Sequence, residues 1–183
     1  MTGRGASIAG VAALAAASLL AAIQPQPVRM DQKAPDLNGK QWLNSPAGPL
    51  QLKDRKGLVT IVHFWTYGCI NCKRNLPIYQ RWHRRFAASQ VAVIGIHTPE
   101  FDAEAVPANV ANHTRLLHID YPVLLDPGLV NWRRWNQQFW PTVYLIDRKG
   151  RIRYRWEGEM NYANLDGERK MTTLIEQLLE ETP

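Results

Sequence analysis

The sequence predicts an α/β fold in which helices cover both faces of a central β-sheet. Apolar runs rich in β-branched residues alternate with longer amphipathic stretches, in the order β-α-β-α-β-α-β-β-α. The last two strands are joined by Asp-Arg-Lys-Gly at 147–150, which is typical of a hairpin turn. Because crossover connections are right-handed, we expect parallel pairing among the early strands and an antiparallel pair at the end.

The N-terminal segment differs in composition from the rest of the chain. Residues 1–5 carry Arg4 and no acid, and residues 6–23 are almost entirely small and apolar. This pattern indicates a secretory signal peptide, and an uncleaved membrane anchor is the alternative. Either interpretation places the domain outside the cytoplasmic membrane. Residues 24–35 are rich in proline and glutamine and are predicted to be a linker, which leaves 36–183 as the domain.

Each element of the domain follows from its local pattern. Two leucines in alternation after a Pro/Gly-rich stretch predict a short hairpin within 42–52, and apolar runs predict strands at 58–65 and 91–97. A helix is expected over 70–88, with Pro77 inside it. The remaining predictions are a mostly helical stretch at 100–117 interrupted near Pro107, a strand at 121–125, a helix at 129–137, strands at 142–147 and 152–156, and a helix at 165–180.

The formal charge of +6 indicates a moderately basic surface. Such a surface can favour acidic partners or an anionic membrane, but an ordinary solvated surface is the simpler interpretation. The cations are spread along the sequence, and one group, Arg81, Arg84 and Arg85, alternates with Trp82 and Phe86 as one face of a helix. No nucleic-acid-binding module is therefore expected.

The chain has only two cysteines, three positions apart in Cys69-Ile70-Asn71-Cys72. Disulfide-stapled secreted proteins carry more cysteines at wider spacing, so this pair is interpreted as reactive. It opens a helix after a strand, where free N–H groups and a partial positive charge stabilise a thiolate. Cys69 is therefore assigned as the nucleophile and Cys72, one turn later, as the resolving cysteine.

Half of a zinc site is the alternative interpretation of two cysteines at this spacing. Such a site needs two more ligands, and the chain has no further cysteine. The histidines show no paired spacing and are His63, His83, His97, His113 and His118. We therefore expect the cysteines themselves to carry the electrons as a redox-active disulfide, without a metal or another cofactor.

Three other residues are candidates to assist the cysteines. His63 lies on the preceding strand and is either a proton shuttle for Cys72 or an inert, hydrogen-bonded core histidine. Glu100 follows the second strand and is either a base or electrostatic tuner, or an acid at a helix start. Pro141 precedes an apolar strand and is either a cis proline opposite the pair or the edge of that strand.

Aromatic residues near these segments are candidates for an apolar rim around the sulfurs, although most aromatic side chains in a chain of this size belong to the core. The candidates are Trp42, Trp65, Tyr67 and Trp140. Thr142, which follows Pro141, is grouped with Trp65, Tyr67 and Trp140 as a substrate-binding residue.

The segment Phe-Trp-Thr-Tyr-Gly-Cys-Ile-Asn-Cys at 64–72 resembles the active-site segment of thioredoxin-like proteins of the TlpA/ResA type. More narrowly, it is similar to the periplasmic thioredoxin-like domain of DipZ proteins. Residues 42–45, 95–101 and 140–147 also fit that pattern, so the resemblance covers the chain from about Pro35 to its C-terminus.

This resemblance implies a thioredoxin fold with an N-terminal β extension and a helical insertion between core strands, supplied in large part by residues 104–121. It implies that Pro141 is cis and faces Cys69. It also implies a disulfide reductase or exchange protein outside the cytoplasm, acting on protein disulfides such as those of cytochrome maturation. Such proteins receive electrons from a membrane carrier of the CcdA/DsbD kind, and we expect a monomer.

Two positions depart from the family pattern. His63 stands where thioredoxins carry a buried aspartate, and Asn75 stands where ResA-like proteins carry a glutamate. Proton transfer would then fall to His63, Glu100, water or another group.

Three functions remain open at this point. The chain is a reductase or exchange enzyme for extracytoplasmic disulfides, a net oxidant of folding proteins, or a non-catalytic binding module with an inert disulfide. A reduction potential separates the first two.

Overall fold

The computed structural model describes residues 28–182, and within this part of the chain a seven-stranded mixed sheet forms the centre. The strands are β1 (Val28–Lys33), β2 (Trp42–Leu43), β3 (Val59–Trp65), β4 (Val91–His97), β5 (Val123–Leu125), β6 (Thr142–Ile146) and β7 (Arg151–Glu157). The α-helices are α1 (Ile70–Arg85), α2 (Pro107–Leu116), α3 (Val130–Arg134) and α4 (Gly167–Glu180). Short 3₁₀ turns span Leu52–Arg55, Asp102–Ala105 and Tyr162–Asn164.

The strand order is β1-β7-β6-β3-β4-β5-β2. Strands β3, β4 and β5 are parallel, whereas β6 is antiparallel to β3 and β7 is antiparallel to β6. The predicted α/β class, the parallel early strands and the antiparallel final pair are confirmed. Since Trp65 pairs with His97, β3 and β4 end at the same edge of the sheet. The segments that follow these two strands therefore meet there.

Alternation along β3 divides the core into two layers. Ile61 and Trp65 point to one face, where α1, α2 and α4 pack, and Tyr79 of α1 is fully buried among them. Val62 and Phe64 point to the other face. That face is covered by the stretch that contains Ala34 and Leu37, by the turn at Leu52–Arg55 and by the end of α3. Because both faces are covered, β3 is buried throughout, as its continuous apolar pattern predicts.

The connection between β4 and β5 forms the expected helical insertion. It contains the turn Asp102–Ala105 and then α2, which begins at Pro107. Proline is favoured at this first helical position, because its N–H would have no partner there and its fixed φ angle suits the helix. This explains the interruption that was predicted near this residue.

The predicted hairpin within 42–52 is wrong. Strand β2 pairs with β5 rather than with the residues that follow it, and Leu52 lies in a 3₁₀ turn with its side chain buried. Between them, Gly48 N–H donates to the carbonyl of Ser45 in a tight turn. The alternating leucines, Leu50 and Leu52, pack against the core rather than in a strand. Pro46 and Pro49 lack the backbone N–H groups that a second hairpin strand needs to donate.

The predicted linker at 24–35 is also incorrect for its second half. Residues Val28–Lys33 form β1, which pairs antiparallel with β7 at one edge of the sheet, and Ala34 after it is buried. Its polar composition hid the strand, since an edge strand keeps polar side chains exposed. Asp31, for example, is exposed and pairs with Arg151 of β7 at 2.6 Å.

The leader at 1–23 and residues 24–27 lie outside the described residues. Within residues 28–182, no helix has the length and apolar character needed to cross a membrane.

Candidate active site

The redox pair lies in the connection from β3 to α1, as predicted. Cys69 has an extended backbone and caps the N-terminus of α1, and its Sγ accepts a hydrogen bond from the backbone N–H of Cys72 at 3.2 Å. Cys69 is partly exposed, whereas Cys72 is fully buried. One sulfur can therefore meet a partner molecule while the other is shielded on the first turn of the helix.

The two thiols differ strongly in acidity. A hydrogen bond from the Cys72 thiol, together with the N–H groups of Cys72 and Asn71, lowers the pKa of Cys69 to about 7. Burial is the main cause that raises the pKa of Cys72, and its neighbour Cys69 raises it further. The arrangement provides a partly ionised, accessible nucleophile beside a protonated reserve thiol.

Glu100 supplies a negative charge near both sulfurs. Its carboxylate opposes ionisation and so raises the pKa of both Cys69 and Cys72. The 3₁₀ turn that follows begins only at Asp102, so Glu100 is not the first-turn acid of a helix. The structure thus favours the electrostatic interpretation of this residue.

Pro141 follows a cis peptide bond from Trp140, which confirms the expected isomer. Thr142 begins β6 and pairs with Phe64 of β3, so the cis bond lies at the sheet edge from which β3 leads to Cys69. Trp140 is held by a hydrogen bond from its indole N–H to the Thr98 carbonyl at 3.1 Å. A contact between Pro141 and a substrate remains a prediction.

Comparison with known proteins places this site in a family. The sequence profile of the AhpC/TSA family matches residues 30–155, which is most of the described chain. The chain belongs to the AhpC/TSA family. Its fold is thioredoxin-like, and relatives that it resembles include thiol–disulfide oxidoreductases.

Two relatives and one solved structure are similar to this chain over most of its length. DipZ of Mycobacterium tuberculosis is 41% identical over 150 residues, covering 81% of this chain and 21% of DipZ. Thiol-disulfide oxidoreductase ResA of Bacillus cereus is 26% identical, covering 72% of this chain and 69% of ResA. A crystal structure of a thioredoxin-like superfamily protein, 28% identical, superposes with a TM-score of 0.74 and covers 82% of this chain and 98% of its own. The chain therefore spans about a fifth of the DipZ relatives it matches.

Glu104 holds the loop that precedes the redox pair, and the sequence analysis did not identify it. Glu104 is buried at 3% exposure, and its Oε1 accepts from the N–H of Gly68 at 2.9 Å. Its Oε2 accepts from the N–H groups of Glu100 at 2.7 Å and Phe101 at 3.2 Å. One carboxylate thus ties the segment entering α1 to the segment leaving β4.

Hydrogen bonds stabilise the ionised form of Glu104. Burial alone would raise its pKa, but the N–H groups of Glu100, Phe101 and Gly68 and the hydroxyl of Thr66 bring it below its ordinary value. Gly68 leaves room for this contact, because a Cβ there would lie 2.2 Å from the Glu104 Oε1 and the carboxylate would have to shift. A glycine directly before the first cysteine was the one sequence signal that indicated a close approach.

His97 supports the same loop from β4. It is buried, and its Nε2 lies 3.4 Å from both the Thr66 hydroxyl and the Tyr67 backbone nitrogen. Burial lowers the pKa of His97 to about 4, which keeps the ring neutral near pH 7. Tyr67 itself stacks on His113 at 3.8 Å between ring centroids.

His63 occupies a different environment from either expectation. The ring is fully buried, stacks on Tyr79 at 4.1 Å and meets the edge of Tyr121 at 5.5 Å. Neither ring nitrogen has a hydrogen-bond partner among the described residues, and burial lowers the pKa of His63 to about 3. A ring that resists protonation is poorly suited to carry a proton for Cys72, and it lacks the hydrogen bond of the inert alternative.

Asn75, the other departure from the family pattern, joins α1 to the loop after β7. Its Oδ1 accepts from the N–H of Met160 at 3.0 Å, and its Nδ2 donates to the carbonyl of Gly158 at 3.0 Å. Both ends of the amide are used, and a glutamate could not donate the second bond. Asn75 is therefore a structural residue here.

The expected aromatic rim is only partly present. Tyr67 and Trp140 are partly buried and pack on the same core layer as Cys69, whereas Trp65 is wholly buried. Trp42 packs on the opposite core layer. Three exposed apolar residues that sequence reasoning did not single out adjoin site segments, and they are Ile70, Phe101 and Phe139.

Among residues 28–182, no three side chains of His, Cys, Asp or Glu cluster as metal ligands.

Proposed function

We propose that this chain reduces protein disulfides outside the cytoplasm through the Cys69–Cys72 pair. The observation that supports it is the contrast between an accessible Cys69 of pKa about 7 and a buried Cys72 of raised pKa. The contrast supports different roles for the two thiols, with Cys69 as the nucleophile and Cys72 as the resolving cysteine.

In the proposed reaction the Cys69 thiolate attacks one sulfur of a substrate disulfide. A mixed disulfide forms, and the other substrate sulfur leaves as a thiolate that takes up a proton. Cys72 then loses its proton and attacks the Sγ of Cys69. The products are the oxidised Cys69–Cys72 disulfide and a second substrate thiol, so two electrons have passed to the substrate.

The electrostatics favour the reducing direction. A first-cysteine pKa near 7 is typical of thioredoxin, which is a reductant, whereas strongly oxidising DsbA has a pKa of about 3.5. Glu100 contributes to this difference, because its charge disfavours the thiolate form. A less stabilised thiolate makes the reduced state less favoured and the pair a better electron donor.

Substrate contacts are proposed at the edge of the site. Cis Pro141 and Thr142 begin β6 beside β3, and Tyr67 and Trp140 provide partly exposed aromatic surface on the same core layer as Cys69. An extended substrate segment could lie along this edge, with its disulfide presented to Cys69.

The direction is tested by equilibrating the protein with glutathione and measuring its reduction potential. We expect a value near that of thioredoxin, about −270 mV, and a value near −120 mV would make the chain an oxidant. Insulin reduction should disappear in Cys69→Ser. Undiminished activity in that variant would overturn the assignment of the nucleophile.

Location and electron donor rest on the leader at 1–23 and on similarity to DipZ. We propose that a membrane carrier of the CcdA/DsbD kind re-reduces the pair. Cys72→Ser should accumulate mixed disulfides in cells, since the resolving attack is lost, and mass spectrometry identifies the trapped proteins. Cys69→Ser is the matched control. Trapping of cytoplasmic proteins alone would contradict the location.

A further inference from the structure

A concave site lies at the opposite end of the sheet from the redox pair. It is a cavity of about 810 Å³ between the end of β1, the turn Leu52–Arg55, the end of α3 and the β6–β7 turn. The buried side chains of Ala34 and Leu52 contribute to its wall. Six of its lining residues are cationic, and they are Lys33, Lys53, Lys56, Arg134, Lys149 and Arg151.

This cavity holds the whole net charge of the described domain. The chain's formal charge is +6, and Arg4 lies outside residues 28–182. The six cations and one carboxylate, Asp36, give the cavity a charge of +5, so the other described residues sum to zero. The cations are scattered over more than a hundred positions of the sequence, and the fold gathers them into one place.

Most of these cations form no ion pair. Arg151 pairs with Asp31. No ion pair within residues 28–182 involves the other five, which are Lys33, Lys53, Lys56, Arg134 and Lys149. The Asp36 Oδ1 is already engaged, because it accepts from the N–H groups of Leu37 at 3.0 Å and Leu52 at 2.9 Å.

Like charges gathered in a concavity repel one another and concentrate a positive potential. An anion in the cavity would relieve this repulsion. Since the cations come from several separate segments, the matching ligand carries several negative groups rather than one. Arg134 adds a guanidinium, whose planar donors suit phosphate and carboxylate oxygens.

We propose that this cavity binds a small polyvalent anion of the oligophosphate class. Its volume lies within the range of small-molecule sites, about 300–1,000 Å³. Its lining contains no aromatic residue on which a nucleobase could stack. Its charges line a concave wall, which fits a compact ligand better than a flat lipid surface.

Calorimetric titration of the full chain with inorganic tripolyphosphate tests the proposal. We expect saturable binding at one site that weakens as the salt concentration rises. The double variant Lys53→Gln/Lys56→Gln should weaken binding by about tenfold. Both lysines are exposed, so folding should be retained, and thermal unfolding checks this.

The matched control is Lys40→Gln/Arg84→Gln, which also removes two positive charges, but from exposed positions outside the cavity. Its affinity should stay within about twofold of the parent chain. Amide NMR shifts on titration should centre on Ala34 and Gly150. The proposal is overturned if the parent chain shows no saturation, if both variants weaken equally, or if only anionic vesicles bind.

Discussion

Three donors within one helical turn lower the pKa of Cys69. The Cys72 thiol and the backbone N–H groups of Cys72 and Asn71 all stabilise its charge. Burial and Glu100 act against them, and the balance leaves the pKa of Cys69 at about 7. In the proposed reaction, ionisation of the Cys69 sulfur controls the first step of exchange.

The alkylation rate of the reduced protein should therefore rise with pH and reach half its maximum near pH 7, because only the thiolate reacts. Mass spectrometry should find the label on Cys69, since Cys72 is buried and holds its proton. Glu100→Gln should move the midpoint to lower pH by removing a repelling charge. A midpoint near pH 9 in the parent chain would contradict these assignments.

Glu104→Gln should destabilise the fold by about 1–3 kcal/mol at pH 7, because the amide cannot accept from all the donors that surround the carboxylate. The pKa of Glu104 is lowered in the folded state, so its stabilisation is present above about pH 4.5 and is lost as pH falls through the folded-state value.

Urea unfolding of both proteins between pH 3 and pH 7 measures this difference. The gap between parent and Glu104→Gln should be widest at neutral pH and should narrow in acid. Glu100→Gln, an exposed neighbour, is the control and should change stability little. A gap that does not depend on pH would show that the charge of Glu104 is unimportant.

His63→Phe should leave insulin reduction and the alkylation midpoint essentially unchanged. Phenylalanine keeps the stacking on Tyr79 and removes two buried nitrogens that have no partner among the described residues, so stability should hold or increase. His97→Phe is the contrasting variant, since it removes the contacts to Thr66 and Tyr67. Loss of turnover in His63→Phe alone would restore the proton-shuttle hypothesis.

At the scale of elements, the edge strand β1 completes the sheet. It pairs with β7, and Met30 packs against the second core layer together with Trp42 and Leu50. This packing makes the N-terminal extension part of the folded domain. A linker would have no such contacts.

Met30→Ala should therefore lower the free energy of unfolding by about 1 kcal/mol, the lower end expected for a partly buried side chain. Arg29→Ala, an exposed neighbour in the same strand, should change it by less than about 0.5 kcal/mol. Chemical denaturation measures both. Equal effects in the two variants would mean that β1 contributes no packing.

For the whole molecule, the cation-lined cavity and the redox pair lie at opposite ends of β3. That strand has seven residues at ~3.3 Å each, which separates its ends by roughly 20 Å. Physiological salt screens exposed charges beyond about 8 Å. The cation-lined cavity and the redox pair should therefore behave independently.

At 0.15 M salt, saturating tripolyphosphate should leave the Cys69 alkylation midpoint within about 0.2 pH units, because the ionic atmosphere screens a charge at that distance. Alkylation with and without the anion, in the parent chain and in Lys53→Gln/Lys56→Gln, measures it. A shift seen only in the parent chain would reveal coupling between the two ends.

The sequence was sufficient where local pattern decides structure. The buried strand β3, the helix opened by Cys69 and the hairpin of β6 and β7 all have strong local signals, and the helix begins at Cys69 as the Cys-Ile-Asn-Cys motif predicts. Features that depend on distant partners were missed. The role of Glu104 needs the N–H of Gly68, thirty-six positions away, and the cavity needs cations from four parts of the chain. Polar β1 likewise becomes a strand only beside β7.

The glycine at position 68 has a consequence for engineering and for natural variation. Any larger residue there would push the Glu104 carboxylate away from the backbone that it holds. Transplanting only the four residues Cys-Ile-Asn-Cys into another scaffold would leave this brace behind. A transplanted site should therefore include both Gly68 and Glu104. In natural variants, we expect these two positions to change together or not at all.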